Sequence, residues 1–133
     1  MAKEAPTVAV AVDDSGGSAR TISNDITNLD WAIPRGVQDV TGVDKAAIER
    51  LLLLADFSIT LNGVFNDGSN MSHDVFKTVA SASVARTITL TTSGVSLPNE
   101  AFLTDYPLTR AADGSLTYAV PGVLSDGTAP TWA

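Results

Sequence analysis

Residues 51–67, LLLLADFSITLNGVFND, change character halfway. Leu51 to Leu54 look like the end of a buried helix, whereas from Ala55 onward polar and apolar side chains alternate. Phe57, Ile59 and Leu61 fall on one face, and Asp56, Ser58, Thr60 and Asn62 on the other, which is the period of a half-buried strand. The expectation is that the leucines end a short helix or bridge into the sheet, packed on both sides, and that the strand continues the same core. Asp44 offers an N-cap for that helix, which would run through Ala46, Ala47 and Ile48 with Glu49 and Arg50 on its wet side. Gly63 marks a candidate bulge.

The chain around this stretch repeats the grammar of strands. Thr7 to Val12 alternates Val and Ala and ends at the turn formers Asp13-Asp14-Ser15-Gly16-Gly17. Ile22, Ile26, Leu29 and Ile33 are spaced like a helical stripe, but Thr and Asn interrupt them and Pro34 closes the run. Val37 to Thr41 suits a brief strand within a long exposed connection. Asn66 to Asn70 forms a loop that Ser72 closes as N-cap for a helix near His73 to Ala80. Arg86 to Thr92 sets Ile88 and Leu90 inward and Thr87, Thr89 and Thr91 outward. Ala101 to Arg110 and Ser115 to Val120 read as two more strands joined by a hairpin turn at Ala112-Asp113-Gly114. The sum is a mainly β chain, an antiparallel β-sandwich or partly closed β-barrel of six or seven strands with a flanking short α-helix.

With 133 residues, a single domain can bury roughly two thirds of its unfolded surface without staples. Its cysteine count of zero removes thiol nucleophiles and Cys-ligated metals. The N-terminal MAKEAPTVAVAVDD reaches acidic residues before any apolar stretch of signal-peptide length, so no secretion signal is expected. The longest apolar run falls far below the ~18 residues of a membrane span. Fifteen acidic against eight basic residues leave a net charge of -7, and the basic residues stand apart, which argues against a nucleic-acid binder.

Chemistry is scarce. His73 is the sole histidine, and Ser72-His73-Asp74 is a triad only on paper, because catalytic triads converge from distant positions. Asp13-Asp14 and Asp67-Gly68-Ser69 lack metal-ligand spacing, and turn chemistry accounts for both. The threonine face of Thr87, Thr89 and Thr91 is different: β-prone and uncharged, it is suited to pairing or packing against another surface. The 44% hydrophobic content is high for an acidic chain and points to surface buried between subunits.

The order of elements now resembles a known family. VAVDDSGGSAR at 10–20, DVTG at 39–42, ERLLLLADFSITLNGVFNDGSNMSHDVF at 49–76, RTITLTTSG at 86–94 and the stretch 102–133 together resemble the major tail protein, or tail-tube protein, of long-tailed bacteriophages. That resemblance implies a structural virion protein and no enzyme, with hexameric rings stacked into a hollow tube for genome delivery. It implies a homo-oligomer whose further partners are tail proteins such as the tape measure, terminator and baseplate. DNA would pass through the lumen without specific binding, and no cofactor or membrane would be involved. The protein would reside in the virion tail after assembly in the host cytoplasm.

On this chain the helix would be His73 to Ala80 and the long connecting loop about 27–44, with Asp39 or Asp44 at a ring-to-ring contact. The alternative is a virion decoration or β-sandwich binding module on a capsid or surface glycan, presenting Trp31 or Trp132 as an aromatic patch.

Overall fold

Leu51 to Leu54 lie in a strand, and that strand leaves the body of the protein. The computed structural model describes residues 6–133. Among these, the elements are β1 (Val8–Asp13), β2 (Ala19–Thr21), β3 (Ile26–Ala32), β4 (Arg35–Asp39), β5 (Arg50–Ala55), β6 (Ser58–Val64), α1 (Ser72–Phe76), β7 (Arg86–Thr92), β8 (Val95–Leu103), β9 (Leu108–Arg110) and β10 (Leu116–Leu124). Seven strands follow the order β2-β1-β7-β8-β10-β6-β3, β9 pairs with β10, and β4 and β5 form a sheet of their own. Every pairing is antiparallel.

The inward pattern read from the sequence holds. Phe57, Ile59, Leu61, Ile88 and Leu90 are buried together with Val10, Val12, Leu97, Tyr118, Val120 and, from α1, Val75 and Phe76. Strands from opposite ends of the sheet order therefore share one core, so the sheet curls into a partly closed barrel with α1 on its flank. The two ends approach without pairing, leaving a groove lined by Val8 and Val10 of β1 and by Ile26, Leu29 and Trp31 of β3. Each fully buried Phe, Leu, Ile or Val contributes about 1.5–3 kcal/mol.

Several expectations are corrected. No helix follows Asp44: Val40 N–H donates to the Glu49 carbonyl at 2.9 Å and Asp39 pairs with Arg50, so strand pairing takes the residues a helix would need. The segment 27–44 is not a loop, since it carries most of β3 and all of β4. The stripe Ile22, Ile26, Leu29, Ile33 is not helical, because β3 pairs with β6 from Ile26 to Ala32. The stretch 101–110 breaks between β8 and β9 around Pro107, which has no N–H for a ladder. Ten strands among the described residues replace the expected six or seven, because β2, β5 and β9 are short or divergent pieces that periodicity does not count and β3 carries the helix-like spacing of Ile26 and Leu29. The turn at 111–115 is as expected, with Gly114 at φ 94° and Ala111 N–H bonded to the Ser115 carbonyl at 2.9 Å.

Helix α1 is shorter than expected and is capped from a distance. Met71, not Ser72, holds the N-cap position, and its side chain makes no cap bond. The carboxylate of Asp25, which is 5% exposed, accepts the Ser72 N–H at 3.1 Å and the Asn66 side-chain amide at 2.9 Å. At the other end Arg86 donates to the Val75 carbonyl, and Val79 N–H turns instead to Phe76 at 3.0 Å, so the α pattern stops. Asp25→Ala is expected to lower stability by about 1–3 kcal/mol, since it orphans the buried Ser72 N–H and the half-buried Asn66 amide. Chemical denaturation showing no loss would overturn this role.

Gly63 stands where the chain comes closest to itself. A Cβ there would collide with the Asp25 carbonyl and the Tyr118 ring, and the bulge expected at this point lies opposite it, at Thr27 of β3. Gly63→Ala is expected to cost about 2–4 kcal/mol as overpacking, read as a fall in thermal midpoint.

Burial pushes the Tyr118 hydroxyl up from 10.0 to about 12. The folded state thus holds this proton more tightly than the unfolded chain does. Its contribution is fully present below pH 10 and is lost as pH rises through about 12. Stability is expected to fall by roughly 2–3 kcal/mol across that window, and Tyr118→Phe is expected to flatten the profile.

Candidate assembly interface

β3 and β6 form a ladder that does not end at the edge of the body. Trp31 pairs with Ile59 and Ala32 with Ser58, the Asp56 N–H then donates to the Pro34 carbonyl at 2.9 Å, and Arg35 pairs with Ala55. The outer part of this long hairpin, β4 with β5, pairs with no other strand among the described residues. Every residue of β4 is exposed, and so are Arg50 to Leu54 of β5.

The exposed side chains are the wrong kind for solvent. Val37 is 59% exposed, Leu51 53%, Leu52 51%, Leu53 39% and Leu54 91%; Val40, Val43 and Ile48 at the far end are exposed as well. The expectation that the leucines pack on both sides is contradicted within the subunit. An isolated two-stranded hairpin is at best marginally stable in water, so this one gains from being covered.

Local bonds keep its shape. Thr41 is the clasp of the far end: its N–H and hydroxyl donate to the Asp39 carboxylate, and its hydroxyl oxygen accepts the Glu49 N–H at 2.8 Å. The Thr41 hydroxyl and N–H together hold the Asp39 carboxyl below its ordinary range. Near the root, the Arg35 guanidinium donates to the Leu53 carbonyl at 2.7 Å. Asp44 sits in the exposed connection between the strands, where Lys45 N–H bonds to the Gly42 carbonyl at 3.1 Å.

The threonine face lies elsewhere, on the main sheet. Thr87, Thr89 and Thr91 are half-buried on the side of β7 opposite Ile88 and Leu90. Ala9 and Ala11 stand beside Thr91 and Thr89 on β1, and Ser96 and Pro98 on β8, giving a row of small residues across three strands that ends at Glu100 opposite Thr87. The Thr87 hydroxyl donates to Glu100. Because β7 is flanked on both sides, these residues can offer a face for packing but no free edge for strand pairing. Residues 125–133 return along β8, with Ser96 and Ala133 exchanging two backbone bonds, and carry Trp132 to 6.5 Å from Trp31.

Asp39 and Asp44 thus share the hairpin, and the three threonines do not join them. The residues overlooked in the sequence are Val37 and Leu51 to Leu54, and their only signal is an apolar run next to a strand. Ser72, His73 and Asp74 do not converge: Ser72 is buried in α1, His73 Nδ1 lies 3.2 Å from the Tyr106 hydroxyl, and Asp74 binds Lys77 at 3.1 Å. Among the described residues no cluster of His, Asp or Glu could hold a metal, and no helix is long and apolar enough to cross a membrane.

A curled, open antiparallel sheet with one flanking helix and a projecting hairpin is a tail-tube-like fold. The chain is similar over its whole length to a chain from the tail of an empty gene transfer agent particle, reconstructed with C6 symmetry. The TM-score is 0.79 at 16% identity, with 99% of each chain covered. A chain of the virion of a native gene transfer agent particle gives 0.77 at 14% identity and the same coverage. A chain of the sixfold-symmetrised baseplate of the anti-feeding prophage gives 0.68 at 9% identity, covering 100% of this chain and 96% of that one. No family profile matches the sequence, and no curated protein does. At these identities the likeness defines the fold.

Proposed function

We propose that this chain is a structural subunit of a phage-like tail, self-assembling into hexameric rings that stack as a hollow tube for nucleic acid. The observation that carries this reading is the hairpin β4–β5, an apolar arm that its own subunit leaves uncovered. A likeness spanning 99% of both chains to a chain of a C6-symmetric tail supports an assembly of copies that would cover such an arm. A heterologous contact that closes by rotation makes a ring, and a second contact along the axis makes a stack.

Asp39 and Asp44 belong to the ring-to-ring contact in this reading, and the face of Thr87, Thr89 and Thr91 packs against a neighbouring surface. A net charge of -7 keeps passing DNA from adhering, since phosphates find no clustered cations to displace their counterions. The remaining partners are other tail proteins, namely a tape measure, a terminator and a baseplate. The assembled protein resides in the virion after assembly in the host cytoplasm.

Negative-stain electron microscopy of purified protein over rising concentration tests the reading. Rings and tubes are the expected result. Monomers persisting at every concentration and ionic strength would overturn it.

A further inference from the structure

Residues 125–133 follow β10 along the edge of β8, but they arrive at Ser96 four residues late. The β10–β8 ladder pairs Gly122 with Leu103, Val123 with Phe102 and Leu124 with Ala101, and the Ser125 N–H still donates to the Glu100 carbonyl at 3.1 Å. Continued residue for residue, that register sets Ala129 opposite Ser96. Ala133 stands there instead, exchanging backbone bonds of 3.2 and 2.9 Å with Ser96. The extra residues arch outward from Gly127, whose φ of 73° turns the chain away, and the Thr128 N–H donates to the Asp126 carboxylate at 3.0 Å in the same turn. Beneath the arch lies a cleft of about 330 Å³ over Thr87, Pro98 and Glu100.

The offset is even, so the arched and the continuous register put the same side-chain phase on each face of the sheet. They also use the same edge of β8. Hydrogen-bonded pairs recur there at every second residue, at Thr104 with Pro121 and at Glu100 with Ser125, and the series then reaches Pro98 and Ser96. The continuous register therefore keeps both bonds at Ser96, through Ala129, and adds one from the Gly127 N–H to the Pro98 carbonyl. Against this gain, it sets Asp126 opposite Asn99, an inward position only 8% exposed. It also pulls Trp132 off Trp31, whose ring lies 6.5 Å from it in the arched form.

We infer that residues 125–133 are a strap with two registers. In the arched one Trp132 packs against Trp31; in the zipped one Ala129 takes the place of Ala133, and Pro130 to Ala133 are set free. Trp31 lines the groove between β1 and β3, so the register decides whether that tryptophan is covered by its own chain. Any contact that takes up Trp31 or the freed segment more strongly than the strap does draws the equilibrium to the zipped form. Nothing in this switch requires the subunit to stand in a tube.

Cysteine pairs test the strap, since the chain has no cysteine of its own. Under mild oxidation, Ser96→Cys with Ala133→Cys reports the arched register and Ser96→Cys with Ala129→Cys the zipped one, each as a directly opposed pair within disulfide reach. Ser96→Cys with Thr128→Cys, and with Pro130→Cys, are the controls, because their side chains are out of phase with Ser96. All these positions lie outside the core, so the circular dichroism spectrum is expected to stay that of wild type.

Both in-phase pairs are expected to close, the 96–129 pair about tenfold or more faster than the controls. Gly127→Val places a branched side chain where the arch needs a positive φ, and is expected to raise the 96–129 rate about tenfold while slowing the 96–133 pair. The locked 96–129 form should show red-shifted, iodide-quenchable tryptophan emission, and the locked 96–133 form the wild-type emission. Closure of 96–129 no faster than the controls would mean a frayed end without registers. A Gly127→Val variant that still closes only 96–133 would mean a single register, and either result overturns the switch.

Discussion

Subunits in which residues 36–54 are replaced by an Asn-Gly pair are expected to fold and not to polymerise. Arg35 and Ala55 are paired neighbours, so a two-residue turn closes the shortened hairpin without moving the body. None of the removed residues belongs to the core, and the thermal midpoint is expected to stay within a few degrees of wild type. Assembly is a different matter. Val37 and Leu51 to Leu54 are 39% to 91% exposed, so covering them would bring roughly 4–9 kcal/mol to a contact before ordering costs.

Losing that shifts an association constant by about a thousandfold or more. Sedimentation at a hundred times the wild-type assembly threshold should therefore show a single monomer-sized species. Tubes from the shortened chain would mean that the hairpin is not the assembly arm.

Arg86→Met is expected to cause the largest loss of stability among single changes. Arg86 is 1% exposed, and its guanidinium donates to the Val75 carbonyl at the end of α1, the Asp13 carbonyl at the end of β1, and the Thr78 hydroxyl at 3.0 Å. Burial draws its pKa down from the ordinary guanidinium value, while the charges of Asp14 and Asp13 push the other way and help keep the cation in place.

Methionine matches the stem but leaves the three acceptors without their donor, at about 3–5 kcal/mol. That is a large share of the 5–15 kcal/mol that stabilises an ordinary domain, equivalent to a drop of about 10 °C or more in midpoint. A calorimetric shift of less than about 3 °C would show that the guanidinium is dispensable.

The buried pattern was legible because a strand with one covered face advertises it at every second residue. Phe57, Ile59 and Leu61, and Ile88 with Leu90, are where the alternation puts them. The turn at Asp113-Gly114 was legible from the same local chemistry. Arg86 was not: it opens the RTITLTT strand in phase with Ile88 and Leu90, but a charged residue at a strand start reads as solvated, and its three partners come from segments 8 to 73 residues away. Asp25 was missed for the same reason, since it caps a helix 47 residues downstream.

What the sequence by itself determined was the class of protein: a mainly β, acidic chain without cysteine, with turns in readable places and no constellation of catalytic residues. What only the tertiary structure decided was the meaning of LLLLADFSITLNGVFND. Phe57, Ile59 and Leu61 face the subunit's own core, whereas Leu51 to Leu54 run out into an exposed arm. Four consecutive leucines carry no period, so they fit a buried helix, a central strand, or a strand waiting for other copies. The choice among these rests on which surface lies opposite, and that surface is set by the distant pairings of β3 and β6 that aim the arm away from the body.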